Sequence, residues 1–298
     1  MTHVSDLIAE LMPYEGHFVG GEGKRQHFLD EGSGSPVVMV HGNPTWCFYY
    51  RNLVSRLSHR FRCIVPDHIG CGRSDAPTEN EYGYSLDDRV NDLERIIDER
   101  VPEGLIDLVV HDWGGMIGMA WAHRHPHRVR RFVILNTAGF RLPDDQPMPL
   151  AIGFARTRFG RWLIERHSLF ARSASYLAFS KPVSKAVRSA YRWPYEARNR
   201  RVATRRFVED IPLGPEDPAY ATVHAVEMGL RQFSNRPALI CWGTKDFVFT
   251  EQFLETWLRH WPHAEVQRYE DCGHYVLEDA GDSILARIDA FLSAPDDV

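Results

Sequence analysis

The stretch LIDLVVHDWGGMIGMAWA, from Leu105 to Ala122, decides the fold. Its first part, Ile106 to Val110, is a short continuous apolar run, which predicts a buried strand. Gly114 and Gly115 then open a helix-like segment, so Asp112 falls on a sharp turn between strand and helix. Such a turn holds one side chain exposed at the carboxyl end of a sheet, and here that side chain is a carboxylate.

The identity of this exposed side chain sets the chemistry. A serine in this position forms an acyl-enzyme, whereas an aspartate is suited to attacking an electrophilic carbon and holding it as a covalent ester. Asp is also a common N-cap residue, so Asp112 taken alone could serve only the following helix. Residues later in the chain favour the nucleophile.

Length and composition indicate one globular enzyme. The 298 residues can bury a large core, either as one large α/β domain or as a core with an inserted segment. The net charge of −5 favours neither nucleic acid nor an acidic partner for the chain as a whole. Five cysteines, odd in number and without a CxxC pair, favour a reducing compartment. The chain shows neither a signal-peptide pattern nor an apolar run of roughly 18 residues, so we expect a cytoplasmic protein.

Strand-like and helix-like segments alternate along most of the chain. The predicted strands are 24–30, 36–40, 61–66, 106–110, 131–135, 237–242 and 264–269. The predicted helices are 85–100, 116–124, 251–260 and 282–292, the first with Ser85 as N-cap and Asp88 three residues later. The alternation predicts an α/β fold, a mostly parallel sheet flanked by helices, with the active site beyond the carboxyl ends of its strands.

One segment, from Arg141 to Tyr220, breaks this alternation. It has no clear strand, is rich in aromatic residues and is bounded by Pro-rich stretches. We predict a helical cap at residues 141–220, inserted into a core formed by residues 1–140 and 221–298. An apolar cap would exclude water from the reacting centre, although most of its aromatic residues are expected to pack it onto the core.

Two more candidate residues follow predicted strands near the end of the chain. Asp246 comes after strand 237–242, and His274 lies in the loop after strand 264–269. The order Asp112, Asp246, His274 is the nucleophile, acid, base order of α/β-hydrolases. In that arrangement His274 accepts a proton from water while Asp246 fixes its tautomer and stabilises the imidazolium. Either residue alone would mean little, because the chain has 15 histidines and loop aspartates are usually solvated.

The segment VHGNPTW, residues 40–46, supplies candidate hydrogen-bond donors. In α/β-hydrolases the oxyanion donors come from this loop and from the amide after the nucleophile, here Trp113. The side chains of Asn43 and Trp113 add two neutral N–H donors, which suit a leaving halide or carboxylate. A hydrogen bond to a charged group contributes about 1.5–3 kcal/mol. Two alternatives stay open: Asn43-Pro44 is only a turn, and Trp113 only packs.

The motifs HGNPTW (41–46) and VVHDWGG (109–115) resemble the haloalkane dehalogenase family of α/β-hydrolases. Two related aspartate-nucleophile families fit less well. Epoxide hydrolases usually have an aromatic residue where this chain has Asn43 and a glycine where it has Val110. Fluoroacetate dehalogenases have an arginine where it has Trp113.

The set Asp112, His274, Asp246, Asn43 and Trp113 resembles subfamily III of these dehalogenases. That subfamily includes the OleB-type β-lactone decarboxylases of bacterial long-chain olefin biosynthesis. Similar longer stretches are HGNPTWCFYYRNLV, VPDHIGCGRSDAP, RRFVEDIPLGPEDPAY and ALICWGTKDFVF. The departures are small: Cys47 and Arg73 stand where a serine and an uncharged residue are expected.

The resemblance implies a carbon-carbon lyase that converts small hydrophobic, long-chain cis-β-lactones to cis-alkenes and carbon dioxide without a cofactor. The alternative enzyme is a haloalkane dehalogenase, in which halide leaves and His274 activates water to hydrolyse the alkyl ester. Both reactions would use the same five residues. A non-enzymatic member that only binds is disfavoured by the intact Asp112, Asp246 and His274. Whether Asp112 attacks the ring carbonyl or the alkyl carbon stays open.

Two other patterns carry no prediction of a ligand. DHIGCGRSD contains a GxG, but it lacks the third glycine and the helix of a dinucleotide site, so we predict a loop. Three histidines surround Pro126 at a predicted helix end: His123, His125 and His127. Histidines in this position more often stabilise the C-terminus of the helix through its dipole than bind a metal. We therefore predict no metal site.

Charge is unevenly divided along the chain. From Arg141 to Phe207 there are 15 Lys or Arg against 4 Asp or Glu (15 − 4 = +11), which leaves −5 − 11 = −16 for the remainder. The basic cap face is defined by Arg156, Arg158, Arg161, Arg198, Arg200, Arg201, Arg205 and Arg206. It is expected either to be a solvated surface or to dock an acidic partner or an anionic lipid surface. The resemblance implies assembly with other olefin-pathway enzymes through it.

Overall fold

Eight strands form one sheet in the computed structural model, which describes residues 4–143 and 150–295. The strands are β1 (Gly16–Val19), β2 (Gln26–Glu31), β3 (Ser35–Val40), β4 (Phe61–Pro66), β5 (Ile106–Asp112), β6 (Val129–Thr137), β7 (Ala238–Gly243) and β8 (Glu265–Tyr269). Their order is β1-β2-β4-β3-β5-β6-β7-β8. β2 pairs antiparallel with β1 and β4, and every other neighbouring pair is parallel. The predicted mostly parallel sheet is confirmed.

Helices surround this sheet. They are α1 (Val4–Leu11), α2 (Arg51–Leu57), α3 (Leu86–Arg100), α4 (Trp113–Arg124), α5 (Leu150–Arg156), α6 (Arg158–His167), α7 (Leu169–Leu177), α8 (Lys185–Arg192), α9 (Arg201–Glu209), α10 (Tyr220–Gly229), α11 (Glu251–His260), α12 (Val276–Ala280) and α13 (Asp282–Leu292). Within the described ranges, no helix is both long enough and apolar enough to cross a membrane.

The hydrophobic core lies on both faces of the sheet. Successive residues of a strand point to opposite faces, and both sets are buried: Val38 and Val40 join the cluster with α3 and α4, whereas Val37 and Met39 join the cluster with α2 and α13. This two-sided burial explains why the central strands are continuous apolar runs instead of alternating ones.

The four predicted helices are present, with one shifted start. The capping box of Ser85 and Asp88 forms as predicted. The helix predicted from residue 116 begins instead at Trp113. Glycine has a low helix propensity, so Gly114 and Gly115 did not indicate that the helix had already begun. Close packing requires both glycines. A Cβ at Gly114 would lie 1.9 Å from the Val40 carbonyl oxygen, and a Cβ at Gly115 would lie 1.9 Å from Thr137 Oγ1.

Between β6 and β7 the described residues form helices and turns only. Residues 144–149, which belong to the predicted cap and include Asp144 and Asp145, lie outside the described residues. The cap boundaries stay a prediction. Its predicted end at residue 220 coincides with the start of α10, which packs against α4 of the core.

Hydrogen bonds and an ion pair anchor the second half of the cap to the core. Tyr195 donates its hydroxyl to the Thr45 carbonyl (2.8 Å), and the indole of Trp46 donates to the Ala190 carbonyl (3.1 Å). Arg51 and Tyr191 meet at the Glu278 carboxylate, with the tyrosine hydroxyl 2.6 Å from Oε1. These contacts fix α8 and the turn after it over the loop that follows β3.

Candidate active site

Asp112 is the last residue of β5 and directly precedes α4. Its φ of 52° and ψ of −127° are unusual for a residue with a side chain, and such strain is typical of functional turns. Its carboxylate makes no N-cap hydrogen bond to α4, so capping does not explain the residue. Thr137 Oγ1 donates to the Asp112 carbonyl oxygen and holds the turn against β6.

The backbone amide of Asn43 holds the Asp112 carboxylate itself. Asp112 Oδ1 accepts a hydrogen bond from this amide at 2.5 Å, and the neighbouring Trp113 amide helps to lower the pKa of the carboxyl group. A Cβ at Gly42 would lie 2.0 Å from Oδ1, so only glycine lets the loop after β3 approach this closely. The predicted oxyanion donor of this loop therefore bonds the side chain of Asp112.

The structure brings Asp112, Asp246 and His274 together at the carboxyl edge of the sheet. Asp246 Oδ2 lies 2.8 Å from His274 Nδ1, and its Oδ1 accepts the amides of Val248 and Phe249 at 2.7 and 3.1 Å. His274 Nε2 lies 3.6 Å from Asp112 Oδ2. All three members of the set are buried, so their mutual electrostatic interactions are only weakly screened.

Burial and charge act in opposite directions on these groups. Burial raises the pKa of the Asp112 carboxyl group, although His274 and the two amides oppose this. Burial alone would lower the pKa of His274, but the carboxylates of Asp246 and Asp112 outweigh it and the pKa is raised. The arrangement therefore favours an imidazolium between two carboxylates.

Asn43 and Trp113 lie beside Asp112, but their side chains differ in what they contact. Asn43 Nδ2 donates to the Thr204 carbonyl of α9 at 3.2 Å, so one of its two amide hydrogens joins the core loop to the cap. The Trp113 ring packs on Phe207, with centroids 5.3 Å apart, and lines a cavity. Within the described residues its indole N–H has no acceptor, which leaves it available to a ligand.

The cavity above Asp112 has a volume of about 370 Å³. Core residues form its floor, and α5, α6, α7 and the segment after α9 form its walls. Asn43, Asp112 and His274 bring polar groups to the floor, and Ser173 is the polar residue that the cap contributes to the lining. The apolar lining includes Met116, Phe140, Leu142, Ile152, Phe154, Ile164, Leu169, Phe170, Leu177, Val208, Ile211 and Phe253. Such a cavity suits a hydrophobic ligand with one reactive polar group.

A family model for the alpha/beta hydrolase fold matches residues 35–281. The chain belongs to the α/β-hydrolase family. The predicted fold class is thereby confirmed. A haloalkane dehalogenase from Bradyrhizobium elkani has the same fold, with a TM-score of 0.83 and 24% identity over 94% of this chain and 97% of that structure.

Two other members of this family are more similar in sequence. The cis-3-alkyl-4-alkyloxetan-2-one decarboxylase of Shewanella oneidensis is 48% identical over 289 residues, which cover 96% of this chain and 91% of the relative. The protein of that name from Xanthomonas campestris pv. campestris is 46% identical over 273 residues, which cover 89% and 91%. This α/β-hydrolase belongs to the family of these decarboxylases, which confirms the resemblance inferred from the motifs.

Several residues that position the site were not found from the sequence. The buried carboxylate of Asp67 binds His27 Nδ1 (2.8 Å) and the amides of Cys47 (2.7 Å) and Arg73 (2.9 Å), which ties together the loops after β3 and β4. Burial would raise the pKa of Asp67, but the hydrogen bond and charge of His27 outweigh it and hold it at about 2. Asp67 begins the segment DHIGCGRSD, which was predicted only as a loop.

Many arginines of the basic cap face are already paired. Arg205 forms ion pairs with Glu79, Glu165 and Glu209. Arg201 donates to backbone carbonyls, including that of Tyr195 at 2.7 Å. The face around residues 198–206 therefore offers less free charge than the sequence count indicates, and its docking role stays a prediction.

Proposed function

We propose that this α/β-hydrolase converts cis-β-lactones (cis-3-alkyl-4-alkyloxetan-2-ones) to cis-alkenes and carbon dioxide, with Asp112 as nucleophile. The observation that carries the proposal is the carboxylate of Asp112, held by the Asn43 amide at the floor of an apolar cavity. The names of the two relatives at 48% and 46% identity support the substrate class.

The hydrogen bonds of Asp112 favour attack on the alkyl carbon of the lactone. Attack on the ring carbonyl would create an oxyanion on the substrate, which would need the amides of Asn43 and Trp113. The Asn43 amide is already engaged by the Asp112 carboxylate. Attack by Oδ2 on the β-carbon, which bears an alkyl group and the ring oxygen, needs no such donors. It forms an ester to Asp112, breaks the bond to the ring oxygen and releases a substrate carboxylate.

Loss of carbon dioxide then completes the reaction without water. The bond between the α-carbon and the carboxylate carbon breaks, and its electron pair forms the alkene π bond. The Asp112 oxygen leaves the β-carbon with its bonding pair, so the aspartate returns as a carboxylate. Attack opposite the ring oxygen places the two departing groups anti to each other, and their loss converts a cis-lactone to a cis-alkene.

The surroundings of Asp112 suit both steps. The indole N–H of Trp113 and the second amide hydrogen of Asn43 would stabilise the released carboxylate. The apolar lining weakens the solvation of that carboxylate, which favours loss of carbon dioxide. The His274 imidazolium, 3.6 Å from Asp112 Oδ2, would keep the buried Asp112 ionised for the attack, because its charge opposes the rise in the pKa of that carboxyl group. Its role is then electrostatic, because no water has to be activated.

A product assay distinguishes this reaction from haloalkane dehalogenation. Dehalogenation remains the alternative because haloalkane dehalogenases have the same fold. Purified protein is incubated with a long-chain cis-β-lactone and, separately, with a bromoalkane of the same chain length. We expect cis-alkene and carbon dioxide from the lactone, at a rate well above that of the lactone in buffer, and no catalytic release of bromide. Bromide release without alkene would replace the decarboxylase with a dehalogenase.

The cellular setting forms part of the proposal. All five cysteines are buried and free, which supports a reducing compartment, and we place the reaction in the cytoplasm. Assembly with other enzymes of an olefin pathway through the basic cap face is proposed on the resemblance alone, and the ion pairs of Arg205 and Arg206 reduce the charge that would drive it.

A further inference from the structure

Several exposed apolar side chains line the cavity or lie next to residues that line it. We call Phe154, Phe159, Trp162, Leu169, Leu177 and Phe247 the apolar rim. Their exposed fractions lie between 37% and 64%, whereas large apolar side chains in a folded protein are usually buried. Clustering of such residues typically marks an interaction site.

The rim is continuous with the interior of the cavity. Phe154, Leu169, Leu177 and Phe247 also line the cavity, so each has one part in the cavity and one part in solvent. Ring contacts extend the surface outward, from Phe154 to Phe159 at 6.2 Å and from Phe159 to Trp162 at 5.8 Å. A lipophilic molecule can therefore pass from the outer surface to Asp112 along apolar side chains.

Positive charge lies beside the rim. Arg158, Arg166 and Arg172 are exposed on α6 and α7, and none forms an ion pair with a residue that the structure describes. The pKa of Arg201 is lowered, first by burial and then by the charges of neighbouring arginines that include Arg172 and Arg166. The surface around the rim therefore combines an uncompensated positive potential with aromatic rings.

We propose that the apolar rim docks on an anionic phospholipid membrane and that substrate enters the cavity from the lipid. Phe and Trp rings with flanking Arg are the composition of segments that lie in the membrane interface. The arginines supply attraction to acidic head groups. A bilayer is favoured over a protein partner because four rim residues also line the cavity, which has to remain open to a water-insoluble molecule. The entry of substrate from the lipid rests on the proposed function, whereas the docking of the rim on a membrane is tested without it.

Vesicle flotation tests the proposal on the full chain. Vesicles of phosphatidylcholine alone are compared with vesicles that also contain phosphatidylglycerol. We expect the protein to float with the anionic vesicles, and Phe159→Ser together with Trp162→Ser to weaken binding about tenfold or more. Arg158→Glu together with Arg172→Glu should weaken binding to the anionic vesicles by about fivefold or more for each arginine. High salt should weaken the binding of the parent protein to a similar extent.

Matched variants control for exposure and charge. Leu105→Ser changes a 44% exposed leucine at the amino end of β5, on the opposite edge of the sheet from the cavity. Arg231→Glu changes an exposed arginine in the 3-10 turn between α10 and β7. Neither should change flotation, and thermal unfolding of all variants should match that of the parent. Turnover of a short, water-soluble lactone should be unaffected in the rim variants.

Three results would overturn the proposal. The first is that the protein does not float with anionic vesicles. The second is that the rim variants float as well as Leu105→Ser. The third is that light scattering shows a self-associated protein that Trp162→Ser converts to monomer, which would assign the rim to a second copy of the chain. All three are independent of whether a lactone is the substrate, so failure of the proposed reaction would be seen separately in the product assay.

Discussion

Replacing Asp112 with asparagine is expected to abolish alkene formation from a cis-β-lactone, lowering kcat by roughly four to six orders of magnitude. The amide is nearly isosteric with the carboxylate, but it is a poor nucleophile and a poor leaving group. The loss would appear in gas chromatography of the alkene under conditions in which the parent protein turns over many times.

Stability and mass measurements keep this result interpretable. The Asp112 carboxyl group is buried and its pKa is raised, so replacing it with a neutral group should not lower the unfolding temperature. Intact mass would detect deamidation back to aspartate. Retained activity in a variant that still contains asparagine would show that Asp112 is not the nucleophile.

Replacing His274 with glutamine is expected to lower lactone turnover by about a hundredfold or more, because the charge beside Asp112 Oδ2 is lost. No covalent adduct should accumulate, since decarboxylation frees Asp112 without water. In a dehalogenase the same change stops hydrolysis of the ester, and the protein would gain the mass of the alkyl group. Intact mass spectrometry during turnover distinguishes the two outcomes.

A matched control is His59→Gln, which changes an exposed histidine between α2 and β4 and should leave turnover unaffected. Accumulation of a stable adduct from the lactone in His274→Gln would contradict the account, because it would show that release from Asp112 needs the histidine as a base for water.

The sequence predicted those parts of the structure that local patterns determine. The central strands are buried on both faces, so each appears as a continuous apolar run, and α3 begins at a capping box that involves only Ser85 and Asp88. Asp112 ends β5, and Asp246 and His274 follow β7 and the edge strand β8; the carboxyl ends of parallel strands share one edge of the sheet. Sequence reasoning therefore placed all three at one site.

Features that depend on contacts between distant segments were not predicted. Strand β1 is a four-residue edge strand that is recognisable only from its pairing with β2, and α1 is a short helix of eight residues. The Asn43 amide was expected to face a leaving anion, whereas one of its hydrogens bonds Thr204, 161 residues away. The ion pairs of Arg205 in the cap were also not predicted, because its acidic partners come from three separate segments of the chain.

The most direct test of the central claim follows the ring oxygen of the substrate. A cis-β-lactone is labelled with oxygen-18 in the ring position, and the carbon dioxide released by the protein is analysed by mass spectrometry before it exchanges with water. Attack of Asp112 on the alkyl carbon predicts one heavy oxygen in each molecule of carbon dioxide, together with unlabelled cis-alkene. Unlabelled carbon dioxide, or a β-hydroxy acid that retains the label on its hydroxyl group, would contradict it, because both require cleavage at the ring carbonyl.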